Sequence, residues 1–94
     1  MSRLLQALSD LGNTMDAVAA TLRTKGIKGR RRSTCSCPVA KYLLSLGFVG
    51  VTVGDEVWVG DTMQRTPEAV CEFIATFDGG GYPDLDAELP IQSR

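Results

Sequence analysis

Apolar side chains recur in steps of four and three from the first residues onward: Leu4, Leu8, Leu11, Met15, Val18 and Leu22. That is the spacing of one helix face. Gly12-Asn13 interrupts the stripe, so two helices are predicted, at 2–11 and 14–25, with Asn13 or Thr14 as the second cap. The stripe is shorter than a coiled-coil seam requires, which favours core packing over dimerisation along it. In TCSCPVAKYLLSLGF, Pro38 suits the first position of a helix and Cys37 its cap. Val39, Tyr42, Leu43 and Leu46 follow at helical spacing, and Gly47 closes the segment.

The period then changes from helical to alternating. Val49, Val51 and Val53 alternate, as do Val57 and Val59, around a turn at Gly54-Asp55-Glu56. A three-residue loop pairs Val53 with Val57, Thr52 with Trp58 and Val51 with Val59, which puts all five valines on one face and Trp58 on the other. A slip of one residue would flip every side chain, so burial selects this register. Thr66-Pro67-Glu68 reads as a cap and first turn. Val70, Phe73, Ile74 and Phe77 form that helix's apolar face, and Gly79-Gly80-Gly81 stops it. The expected fold is a small single α+β domain over 1–87, with three to four helices packed on a two-stranded antiparallel hairpin. The Cys-Pro helix and the last helix should both lie on the valine face; Tyr82 and Leu85 dock on the core, and 88–94 form a disordered tail.

At 94 residues the chain has enough length for a modest core. Its near-neutral total hides a polarity: eight of the ten basic residues lie in 1–47 and nine of the eleven acidic ones in 48–94. Such a distribution predicts one positive and one negative face, or a basic segment lying against an acidic one. No apolar run is long enough to span a bilayer, and the first residues lack the pattern of a secretion signal.

Three cysteines, an odd number, fit a reducing cytoplasm. Cys35 and Cys37 are too close in sequence to pair comfortably, while a bridge from either to Cys71 stays open. Cys35, Cys37 and Cys71 supply at most three ligands with no histidine, short of a four-ligand zinc set, and the expectation is no metal or other cofactor. A thiol at a helix N-terminus beside arginines favours the thiolate, but without histidine the usual proton-handling base is missing. No catalytic set emerges, and the chain reads as a non-enzyme.

Two surfaces carry the functional expectation. Lys28, Arg30, Arg31, Arg32 and Ser33 run into a helix start, an anion-binding arrangement suited to phosphate or a nucleic-acid backbone, without Walker spacing or interleaved aromatics. The competing possibility is that the protein's own acidic tail neutralises this loop. Trp58, on the outer hairpin face, is the type of side chain that anchors a protein partner, unless Tyr82-Pro83 covers it. The first expectation is a non-enzymatic cytoplasmic interaction module that binds a protein; the alternative is a nucleic-acid-binding accessory using Lys28–Arg32. A homodimer through the hairpin edge or the leucine stripe is a further possibility, and no membrane contact is expected.

The strings LGNTMDAVAATLRTKGIKG, CPVAKYLLSLGF and FIATFDGGGYPDL resemble small uncharacterised proteins of actinobacteria and their phages, over most of the chain from Leu11 to Leu85. The resemblance implies a cytoplasmic protein of bacterial or phage origin, and the interaction module expected from charge polarity and the exposed hairpin would then bind a host or phage protein. It implies no reaction.

Overall fold

The structure is a computed structural model that describes residues 3–87, so the tail predicted at 88–94 lies outside the described residues. Four helices and one antiparallel sheet follow in order: α1 (Arg3–Asp10), α2 (Met15–Thr24), α3 (Pro38–Ser45), β1 (Val51–Val53), β2 (Glu56–Val59), β3 (Thr62–Arg65) and α4 (Glu68–Asp78), then a 3-10 turn at Pro83–Leu85. The architecture is α+β, as the change of period predicts.

The helices begin where their caps dictate. Thr14 Oγ1 accepts from the Ala17 N–H at 3.1 Å, which satisfies one of the open donors of α2. Cys37 does the same for α3, its sulfur accepting from Ala40 N–H at 3.4 Å with Pro38 just inside. The leucine stripe is spent on the interior: Leu4, Leu8, Leu11, Val18 and Leu22 are all buried, so it offers no seam to a second chain. They join Val39, Leu43, Val57, Val70, Phe73, Phe77 and Leu85 in one core cluster. Each such burial contributes about 1.5–3 kcal/mol. Tyr42 reaches across this core, its hydroxyl donating to the Ala7 carbonyl at 2.7 Å, and burial raises its pKa.

The hairpin register is the expected one: Val51 faces Val59, Thr52 faces Trp58, and Val53 faces Val57. Three details differ. The sheet has three strands, in the order β1-β2-β3, rather than two. Gly60, with φ +58°, supplies the positive φ that a two-residue turn needs at its first central position, and the chain returns along β2 with Trp58 opposite Met63. Val49 is not part of the buried face: it is 73% exposed. Gly50 turns the backbone with φ +65° and accepts from Gly60 N–H, which ends the ladder one residue before the valine could join it. Val51, Val53 and Val57 are buried and Val59 is half-buried. Finally, α4 lacks the predicted Thr66 cap. Thr66 N–H still follows the ladder, donating to Asp55, so its hydroxyl turns to the Gly54 carbonyl at 2.7 Å and Pro67 occupies the cap position.

Packing places only one of the two expected helices on the valine face. The principal neighbours are α3 with β1 and α2 with α4, so the Cys-Pro helix covers the valine face and the last helix lies chiefly along α2. Phe73 stacks on Phe77 with centroids 5.8 Å apart and meets the Tyr82 ring at 5.2 Å. The segment 82–87 then straps the helices. Gly29 N–H donates to Leu85 and the Gly29 carbonyl accepts from Ala87, at 2.9 and 2.8 Å. A methyl group at Gly29 would overlap the backbone of Cys37 and Pro38.

Candidate functional site

The basic segment between α2 and α3 is built as much for the inside as for the outside. Arg31 is mostly buried. Its Nε donates to Asp86 at 2.6 Å, its Nη1 donates to the carbonyls of Phe77 and Gly81, and its guanidinium lies 4.7 Å from the Phe77 ring centre. A guanidinium offers five donors in a fixed fork, and this one ties the end of α4 to the strap. Arg23 pairs with Asp84 on the surface, and this contact holds the Asp84 carboxyl below its usual pKa. Two basic side chains are therefore neutralised by the acidic strap, the internal outcome that the charge polarity allowed.

The other predicted anion ligands are spread out. Lys28 is exposed, and Arg30 is exposed with its backbone N–H donating to Ser36 at 2.8 Å. Arg32 adopts a left-handed φ of +55°, uncommon for a residue with a side chain, and its N–H donates to Asp78 Oδ1 at 2.8 Å. Ser33 Oγ accepts from Ser36 N–H at 3.0 Å, a local turn bond. Arg32 and Ser33 reach a groove of about 460 Å³ between this loop, the β1–β2 turn and α4, which Asp55, Cys71 and Asp78 also line. Both signs of charge meet there, so the groove is not a concentrated anion cradle.

The cysteines are separate in role. All three are free thiols: Cys35 exposed, Cys37 buried, Cys71 half-buried. Desolvation raises the pKa of Cys37, against the thiolate that its helix-start position suggested, and raises that of Cys71 as well. Cys71 donates to the Thr66 carbonyl at 3.6 Å. Among the described residues no group of three or more His, Cys, Asp or Glu could hold a metal ion, so Cys35, Cys37 and Cys71 do not form the trio considered from sequence.

The outer sheet face is the remaining surface. Thr52, Trp58 and Met63 stand in one row across the three strands, since residues directly opposite in a ladder share a face. Trp58 is 41% and Met63 46% exposed. Tyr82 is not its cover: that ring lies on Phe73, and its hydroxyl donates to Asp16 at 2.7 Å, a bond that raises the tyrosine pKa. Met63 and the strand that carries it were missed by the sequence reading, although Gly60-Asp61 between Val59 and Thr62 is a hairpin signal.

No helix among the described residues is long and apolar enough to cross a membrane. No family model, curated protein or solved structure matches the chain.

Proposed function

We propose that the chain is a small, non-enzymatic cytoplasmic interaction module of bacterial or phage origin whose contact surface is the outer face of the sheet, with a protein as partner. The observation that carries this reading is the exposed Trp58–Met63 cross-strand pair. An indole and a thioether side by side on a flat, twisted surface combine a large rigid contact area with an adaptable neighbour, and tryptophans dominate interface energetics. The alternative, a nucleic-acid contact through Lys28–Arg32, draws less support. Within that loop Arg31 is spent on Asp86 and two carbonyls, and Arg32 shares its groove with Asp55 and Asp78.

Immobilised protein and its Trp58→Ala variant, matched for folding by circular dichroism, are compared for capture from bacterial lysate in 0.15 M salt. Binding through the indole predicts a partner band that weakens by roughly tenfold or more in the variant. Equal bands, or capture only of nucleic acid that salt removes, would overturn the reading.

A further inference from the structure

We infer that the free edge of β3 is a self-complementary dimer seam: two copies of this chain pair antiparallel through Thr62–Arg65, centred on Met63, into one six-stranded sheet. The inference deepens the reading above, on which it rests for the sheet as contact surface, by naming a second copy as the occupant of its edge.

Which backbone groups face outward follows from the ladder. Gly60 N–H donates to Gly50 and Gly54 N–H to Glu56, so even-numbered residues of β1 and β2 bond each other. The odd residues of β2 then face β3, in agreement with Thr66 N–H donating to Asp55. Alternation leaves the N–H and C=O groups of Met63 and Arg65 directed away from the sheet. The same alternation directs Val51 and Val53 outward on β1, where the Val53 N–H is already taken by the Thr34 carbonyl at 2.8 Å. That edge is partly occupied by the protein's own loop, which disfavours head-to-tail growth. Among the described residues the other edge is open apart from a long local bond from Gln64 Nε2 to the Arg65 carbonyl at 3.4 Å, and it carries neither Lys nor Pro within Thr62–Arg65, two residues that commonly guard such edges.

Parity and charge select the register. Outward groups bond only outward groups, so odd residues must face odd residues. A pairing centred on Gln64 sets Arg65 opposite Met63 of the second copy. A pairing centred on Met63 sets methionine opposite methionine, Thr62 opposite Gln64, and Arg65 opposite Asp61 of the second copy. Arg65 then lies between its own cross-strand neighbour Glu56 and that aspartate. Neither Asp61 nor Arg65 is in an ion pair among the described residues. Opposite charges directly across a ladder stabilise it and like charges oppose it, so the Met63-centred register is the favoured one. It also extends the Thr52–Trp58–Met63 row across the two-fold axis and leaves both indoles accessible.

The test uses the full chain with the exposed Cys35 replaced by Ser. Light scattering after size exclusion should give twice the chain mass at micromolar concentration. In the hydrogen-bonded pair at the axis the Cα atoms stand about 5.5 Å apart, within disulfide reach. Met63→Cys should therefore oxidise to a covalent dimer. Gln64→Cys, about 8 Å from its own copy, should not. Asp61→Arg or Arg65→Asp alone should weaken association roughly tenfold or more, and the two together should restore it. A monomer up to submillimolar concentration overturns the seam, and cross-linking through Gln64→Cys overturns its register. A monomer that still captures a partner through Trp58 overturns only the dimer. A dimer whose captures ignore Trp58 overturns only the earlier reading.

Discussion

Around Arg31 a buried guanidinium meets a carboxylate, two backbone carbonyls and an aromatic ring. At Met63, on the far strand, the side chain is half in water and the backbone groups point away from the sheet. By composition alone the ranking would be reversed: the arginine run looks like the exposed, ligand-seeking element, and TMQR looks like an ordinary connection. The difference teaches that charge marks where a segment can make contacts, and topology decides whether the chain has already made them. Two basic side chains, Arg31 in the loop and Arg23 in α2, are consumed by the strap, while the plain strand keeps its capacity to bond.

The largest expected effect lies at the clasp. Arg31→Ala leaves a nearly buried Asp86 carboxylate without its guanidinium and takes a donor from the carbonyls of Phe77 and Gly81, of which the first keeps the Gly80 N–H. Unfolding by urea should show a loss of about 3 kcal/mol or more. A loss below about 1 kcal/mol would break the comparison. A smaller effect is expected at the rim of the strap. Arg23 holds the Asp84 pKa down, so the pair's stabilisation is complete above the unfolded carboxylate value and fades as pH falls through the depressed folded one. Asp84→Asn should therefore cost a little stability at neutral pH, with the gap to wild type closing in acid. A gap that widens in acid would contradict the pairing. Smallest of all is the effect at the open strand. Met63→Lys, compared by urea unfolding in dilute solution, should shift stability by no more than about 0.5 kcal/mol; a greater loss would mean that β3 is part of what holds the monomer together.

Local signals carried most of the fold. Helix starts were legible at Thr14 and at Cys37-Pro38 because capping depends on residues within one turn. The β1–β2 register was legible because only one pairing puts the valines on a common side, and Trp58 turned outward with it. β3 was not, because both of its faces are wet and its side chains show no alternation of apolar and polar. Val49 failed for a backbone reason, the positive φ of Gly50, that its own side chain does not report. Thr66 was misassigned because it competes for two roles, and the ladder won. Of the candidate site, the sign of the basic loop could be read, but not that Arg31 would find Asp86 fifty-five positions later. No periodicity encodes a pairing that distant.

One further consequence follows from Gly29. Its two peptide groups hold the strap on one side, while the start of the Cys-Pro helix presses on the other with no space for a β-carbon. As copies of this gene drift, surface arginines and even core aliphatics have substitutes of similar kind, whereas a hydrogen atom has none. Any descendant that keeps the strap must keep glycine at this position, and one that loses it should be found to have rebuilt or discarded residues 82–87.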